Sequence, residues 1–282
     1  MDGVYVPLIT PFAADGSPAW DVLEKLAFDL LDAGASGLVA LGTTAEPAAL
    51  SDAERRGVLD VVARVCRERG ARLLVGANTP AQLAEVPPDA AAALTLVPPF
   101  QRPGEDGVVA HFAALAAAAP VPLVVYHVPY RTGQQLSAAA LRRLAAIDGV
   151  IGIKYATGAV DADAVALLAD PPPGFTVLCG DDVFLSPMLA LGAAGGILAS
   201  AHLETAAFVA LADAWRAGDA ARARPLGRRL ARLSAAAFAQ PNPTVIKAAL
   251  HAAGQIPTPD VRLPLLPAVD GLAPHLYGSL LE

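Results

Sequence analysis

One lysine stands inside an otherwise apolar run, Val150-Ile151-Gly152-Ile153-Lys154-Tyr155. Burying an ammonium costs free energy and so favours the neutral amine. A neutral amine is the nucleophile that a ketone needs to form a Schiff base. A lysine that snorkels out of a strand end is the plainer alternative. Composition weighs on the choice. Only three of the 20 basic residues are lysine, Lys25, Lys154 and Lys247, and the rest are arginine. That bias accompanies an Ala/Arg/Pro-rich chain, so a lysine kept in an apolar segment invites a reason. Lys25 and Lys247 fall on amphipathic helical patterns and are expected to be solvated.

Other groups that could do chemistry cluster after short apolar runs. Tyr126-His127-Val128-Pro129-Tyr130-Arg131-Thr132-Gly133 offers a tyrosine for proton transfer and, five residues on, an arginine to clamp a carboxylate. Tyr126 could equally be a core aromatic and Arg131 a surface cation. His127 alternates with Tyr126 and is expected to face away from it. Gly42-Thr43-Thr44-Ala45-Glu46-Pro47 presents two hydroxyls and a turn of backbone N–H groups, suited to a carboxylate or phosphate but also to an ordinary helix-capping turn. Cys179-Gly180-Asp181-Asp182 offers acids for substrate hydroxyls, for a metal or for capping the following helix. No histidine or third carboxylate accompanies them in sequence, which weighs against the metal. In Gly195-Gly196-Ile197, small residues could bring a ligand close to the backbone.

These groups need a frame. Nearly continuous apolar runs recur at Val4–Thr10, Gly37–Leu41, Arg72–Ala77, Ala93–Val97, Leu123–Val128, Val150–Tyr155, Phe175–Cys179 and Gly196–Ser200. Such runs predict strands buried on both faces of a parallel sheet. Helical patterns separate them over Ala19–Ala33, Ala53–Arg69, Val108–Ala118, Ala138–Ala146, Ala162–Ala169, Val183–Ala190 and Thr205–Ala217, with a weak, proline-broken link at Pro80–Pro88. Eightfold β/α alternation predicts an α/β fold, a (β/α)8 TIM barrel, over residues 1–217. A doubly wound sheet is the structural alternative, but the first strand ends Ile9-Thr10-Pro11-Phe12 without a glycine-rich turn. Residues 218–282 predict a helical extension packed on the barrel, with helices over Ala220–Gln240, Pro243–Ala253 and Val269–Leu281. Asn242 is the expected N-cap of the second, with Pro243 at its first position. In a TIM barrel the groups singled out above all fall at C-terminal strand ends, where catalytic residues sit.

Composition excludes several classes. With 282 residues, 55% hydrophobic and 17% charged, the chain can bury a full core and is not disordered. Its net charge of −7 argues against nucleic-acid partners, which call for a basic face. Mean hydropathy is positive, yet every apolar run is broken well before the roughly 18–20 residues that span a bilayer. Two cysteines, Cys66 and Cys179, form neither a disulfide framework nor a metal motif. They are expected to be packed thiols in a reducing cytoplasm. Met1-Asp2-Gly3 and the strand-like residues after it lack a basic n-region followed by an apolar h-region, so no secretory leader is expected.

Taken together, the strand ends resemble those of one family, the pyruvate-dependent class I aldolases of dihydrodipicolinate synthase and N-acetylneuraminate lyase. Gly3–Phe12 resembles its opening strand and Gly42–Glu46 its Gly-Thr-Thr-Gly-Glu turn. Tyr126–Gly133 is similar to its Tyr-Asn-x-Pro-x-Arg-Thr-Gly loop, and Gly152–Gly158 to its Gly-Ile-Lys-x-Ala-Thr-Gly strand. Gly180–Asp182 and Gly192–Ile197 resemble the next two strand ends, and Asn242–Leu250 its Asn-Pro-x-x-x-Lys-x-Ala-Leu helix. The resemblance covers nearly the whole chain.

It implies that Lys154 condenses with the keto group of a 2-oxo acid, typically pyruvate. Thr43, Thr44 and nearby backbone N–H groups would hold the carboxylate, and Tyr126 would shuttle protons. Arg131 would bind the carboxylate of a second, aldehyde substrate, and Gly180 and Ile197 would line the pocket. No metal, nucleotide or organic cofactor is implied, and the assembly would be a homo-oligomer, a dimer or a homotetramer. Three departures stand out. Pro99 and Phe100 occupy the positions of two adjacent tyrosines, the second of which reaches a neighbouring subunit in the family synthase, and Phe100 has no hydroxyl to pass a proton. Ala45 replaces the usual glycine. The histidines linked to lysine feedback in some synthases are missing near Asp52 and Arg55. The expectation is therefore a Schiff-base lyase or aldolase. Within it, a 2-keto-3-deoxy sugar-acid aldolase or dehydratase is the alternative to dihydrodipicolinate synthase. A barrel that binds a 2-oxo acid without turnover is the alternative outside it.

Overall fold

The computed structural model describes residues 1–269. Eight strands, β1 (Gly3–Pro7), β2 (Gly37–Ala40), β3 (Arg72–Gly76), β4 (Ala92–Leu96), β5 (Leu123–His127), β6 (Val150–Tyr155), β7 (Thr176–Cys179) and β8 (Gly195–Ile197), close into one parallel barrel in sequence order. β1 pairs with both β2 and β8, so no strand edge is left open. Helices α1 (Trp20–Asp32), α2 (Asp52–Arg69), α3 (Pro80–Ala84), α4 (Gly104–Ala118), α5 (Pro129–Thr132), α6 (Ala138–Ala145), α7 (Ala162–Ala169), α8 (Leu185–Ala190) and α9 (Ala201–Arg216) lie in the links between strands and after the last one. The TIM barrel expected from the alternation is the fold observed.

Period-2 alternation divides the core in two. Tyr5, Val39, Leu74, Leu94, Val124, Tyr126, Leu178 and Ile197 fill the inside of the barrel. Their strand neighbours, such as Val4, Leu38, Val125, Ile153 and Tyr155, pack outward against the helices. Local chemistry sets the helix ends. A reciprocal capping box opens α2: Ser51 Oγ accepts from Glu54 N and Glu54 Oε2 accepts from Ser51 N, while Gly70 closes the helix in the left-handed region. The weak link is a real but single-turn helix, α3, started by Thr79 and Pro80.

Boundaries differ where tertiary contacts override pattern. The helix expected from Val183 starts as a 3-10 turn over Asp182–Phe184 and becomes α8 only at Leu185. The helix expected from Thr205 begins four residues earlier, with a kink at Glu204 whose carboxylate takes two bonds from Arg229. After Gly218 come α10 (Ala220–Ala237) and α11 (Thr244–Ala252). α10 packs against α8 and α9, and α11 against α9. The short helix expected over Val269–Leu281 lies, beyond Val269 itself, outside the described residues. Among the described residues no helix is long and apolar enough to cross a membrane.

Candidate active site

Register brings the two most reactive candidates together. Tyr126 on β5 and Lys154 on β6 are directly paired across the sheet. Since Ile153 and Tyr155 point outward, Lys154 points into the barrel. It is only 6% exposed, and its Nζ lies 4.3 Å from the centre of the Tyr126 ring. No carboxylate among the described residues is within ion-pair distance of Lys154; the one buried lysine–carboxylate pair is elsewhere. The π face softens the desolvation of the amine without donating to or accepting from it. Gly180, just beyond β7, is required by that side chain. A Cβ there would stand 2.7 Å from Lys154 Cγ and 2.9 Å from its Cε.

Across the barrel mouth, β2 leads into the Thr43–Ala45 3-10 turn. The Thr10 hydroxyl fixes it by donating to Ala45 O at 2.8 Å, and Asn242 Nδ2 donates to Thr44 Oγ1 at 2.8 Å. Glu46 ends the turn in the left-handed region at φ 56° and is buried. A Thr-rich turn with spare hydroxyls and N–H groups, four strands round from a buried amine, can hold the acid end of a short oxo acid while its keto carbon meets the amine.

Around β5 to β7 the remaining polar groups form a rim. Tyr130 donates to Asp181 Oδ1 at 3.3 Å, and Gly158 N donates to Asp181 Oδ2 at 2.6 Å. Arg131 is exposed, with its guanidinium 5.9 Å from the Tyr130 ring centre. Asp182 caps, but not the helix that follows it. Its Oδ2 accepts from Ser200 N at 2.6 Å, ahead of α9, and burial pushes its carboxyl up to about 6. Ile197 is fully buried inside the barrel. The two glycines before it do not make room for a ligand: a Cβ at Gly195 would strike Gly3 O at 1.9 Å, and one at Gly196 would strike Leu198 and Leu185. They serve strand and helix packing.

Two expectations about the C-terminal helix are corrected. Lys247 is not solvated: it is fully buried, and its Nζ donates to Glu46 Oε1 at 2.5 Å and to Asp260 O at 2.9 Å. Burial pulls this ammonium down to about 8, against the pull of Glu46. The segment Thr244-Val245-Ile246-Lys247-Ala248-Ala249-Leu250 is amphipathic, with Thr244 and Lys247 on one face, and nothing local signals that this face is buried too. Asn242 is not an N-cap either, since α11 starts after Pro243 and the Asn242 amide reaches Thr44 instead. No sequence pattern signals that contact, which spans 198 positions.

The bystanders sit as expected. His127 packs outward on Tyr155 with both ring nitrogens unpartnered, and burial drives its imidazolium down to about 4. Burial pushes both thiols up, Cys66 to about 11 and Cys179 further, so neither is poised as a nucleophile. Phe100 is 90% exposed, on a loop held by Phe100 N donating to Thr132 O.

A parallel barrel with an unpaired lysine buried inside its β6 strand, a tyrosine beside it and a hydroxyl-bearing turn opposite is the layout of a Schiff-base-forming lyase. Comparison with known proteins gives that class its family. The dihydrodipicolinate synthetase family model matches residues 1–277. The chain is 36% identical to the 4-hydroxy-tetrahydrodipicolinate synthase of Synechococcus elongatus over 99% of its own length and 95% of the relative's. It is 36% identical to that of Moorella thermoacetica over 99% and 97%. Among solved structures, the Acinetobacter baumannii dihydrodipicolinate synthase complexed with pyruvate superposes with a TM-score of 0.91 at 33% identity, covering 99% of this chain and 97% of that one. A monomeric dihydrodipicolinate synthase variant superposes with a TM-score of 0.92 at 27% identity, covering 99% and 96%. The chain belongs to the dihydrodipicolinate synthetase family and is a class I, pyruvate-dependent Schiff-base lyase that joins pyruvate to an aldehyde. These relatives do not favour the sugar-acid or non-catalytic alternatives.

Proposed function

We propose that Lys154 carries this chemistry and that the aldehyde bears a carboxylate of its own. The Lys154 amine attacks C2 of pyruvate, and the keto oxygen takes a proton to give the carbinolamine. Loss of water leaves an iminium, whose positive charge draws the electrons of a C3–H bond as its proton departs. The resulting enamine attacks the aldehyde carbon through C3, the aldehyde oxygen is protonated, and water then releases the product from Lys154. Tyr126 moves the protons of these steps, and Thr43, Thr44 and the turn N–H groups hold the pyruvate carboxylate. Arg131, exposed at the rim, clamps the carboxylate of the aldehyde. Gly180 and Ile197 line the pocket, and no metal or organic cofactor takes part. The observation that carries this reading is the burial of Lys154 without a carboxylate partner, beside Tyr126.

Borohydride reduction in the presence of pyruvate tests it. The expected result is a reduced pyruvyl adduct on the Lys154 peptide; an unmodified Lys154 at saturating pyruvate overturns it. We further propose a homo-oligomer working in a reducing cytoplasm, supported by the exposure of Phe100 at the position where the family synthase reaches its neighbour. If the relay hydroxyl is all that Phe100 lacks, Phe100→Tyr raises the rate of condensation with aspartate semialdehyde. An unchanged rate points to a different carboxylated aldehyde.

A further inference from the structure

We infer that Asn242, on the approach to helix α11, is a positioning residue that aims the Thr44 hydroxyl at the pyruvate carboxylate. The inference rests on the reading that the Thr43–Ala45 turn holds that carboxylate. A threonine hydroxyl has one proton to give and two lone pairs to receive with. Here Asn242 Nδ2 donates to Thr44 Oγ1 at 2.8 Å, and Thr44 is only 3% exposed. Among the described residues the Thr44 hydroxyl donates to no protein acceptor. With a lone pair taken by the amide, its proton is left for a bound anion. Turned over, the same amide would accept that proton and leave the turn one donor short. The orientation present leaves Asn242 Oδ1 buried and unpartnered.

The rest of α11 explains why the amide can be held so. Lys247 N donates to Pro243 O at 2.9 Å, which ties the first turn of the helix to the residue after Asn242. The Lys247 ammonium bonds Glu46 Oε1, and Glu46 Oε2 accepts from Arg262 N at 2.7 Å. Glu46 directly follows the turn. The carboxylate turn is thus gripped at Thr44 by Asn242, at Ala45 by Thr10 and at Glu46 by Lys247 and the Arg262 backbone. Three of these four grips come from residues beyond position 240. The C-terminal extension therefore belongs to the substrate-binding apparatus.

The test is a double-variant cycle on the full-length enzyme. Half-saturating pyruvate for borohydride labelling, and KM for pyruvate and for the aldehyde, are measured for the wild type, Asn242→Ala, Thr44→Val and the pair. Losing one charge-assisted hydrogen bond raises half-saturating pyruvate by about tenfold in Asn242→Ala. Labelling at saturating pyruvate is retained, KM for the aldehyde is unmoved, and Asn242→Ala adds nothing in the Thr44→Val background. Additive effects of the two substitutions, or equal shifts for both substrates, overturn the inference. If Asn242→Ala does not fold, the near-isosteric Asn242→Asp carries the test. It accepts but cannot donate, and it raises half-saturating pyruvate at least as much; wild-type half-saturation in it overturns the inference. Absence of labelling in the wild type would instead overturn the role of Lys154, so the two failures are distinct.

Discussion

The molecule buries two lysines and treats them in opposite ways. Lys247 is fully enclosed and paired at 2.5 Å with the carboxylate of Glu46, itself buried. Lys154 is nearly as enclosed, but among the described residues no carboxylate is within ion-pair distance; its Nζ lies over the Tyr126 ring, and Asp181 and Asp182 act on it only from farther off. A paired ammonium has its charge answered, its protons committed and its position fixed. An unpaired one makes no such bond and is left facing the barrel interior. Even the paired lysine is not free of cost: its pull down to about 8 shows that Glu46 does not fully repay its desolvation. The Lys247–Glu46 pair is better understood as a fastener for the Thr43–Ala45 turn than as a source of stability. Burial alone therefore does not separate the two lysines; the carboxylate within bonding distance does.

The largest expected effect breaks the Lys154 side. Lys154→Ala abolishes turnover and borohydride labelling, while its thermal midpoint is unchanged or raised, because a buried amine without a partner is removed. Loss of the fold, followed by circular dichroism, would make Lys154 structural like Lys247. Next in size, Lys247→Met leaves Glu46 buried without its ion-pair partner, and costs about 3–5 kcal/mol of unfolding free energy. Adding Glu46→Gln to it recovers most of that loss in denaturant titrations. A single variant as stable as the wild type would show that the pair is not the fastener described.

The smallest effect sharpens the comparison from behind the Lys154 strands. His127 and Tyr155 are paired in register on the outer face, one residue on from Tyr126 and Lys154. His127 is fully buried, and its pKa falls from 6.5 to about 4 chiefly through desolvation, partly opposed by Asp161 and Asp163. Between these values the unfolded chain binds a proton that the folded one refuses, so stability is lost as pH falls from about 6.5 to about 4. The loss is about 3 kcal/mol at most. His127→Phe removes that part of the acid slope in chemical denaturation, whereas Lys247 stays protonated throughout this window. An unchanged slope would mean that His127 has a partner in solution.

Much of this is legible in the sequence. The run around Lys154 sets a charged group against apolar neighbours, and strand periodicity puts His127 on the face opposite Tyr126; that Lys154 shares the face of Tyr126 came from the register. Strand and helix boundaries over Val150–Tyr155 and Ala162–Ala169 match to the residue, because hydrophobic pattern and capping residues agree there. The misread places are those where a distant partner decides. Glu46 looks like an ordinary turn acid and Lys247 like a solvated helix lysine until the fold brings them together across 201 positions. Gly195 and Gly196 look like room for a ligand until neighbouring strands and side chains fill it.

What the sequence determined by itself was the eightfold alternation, and with it a barrel whose strand ends collect Thr43, Thr44, Tyr126, Arg131, Lys154 and Gly180 at one face. Hydrophobic period and turn chemistry are local properties, and they suffice for that. The tertiary structure alone decided which charges are answered. Whether a buried lysine lies against an aromatic ring or bonds a carboxylate depends on what stands within about 4 Å of it, and that is a property of the closed barrel rather than of any segment of the chain.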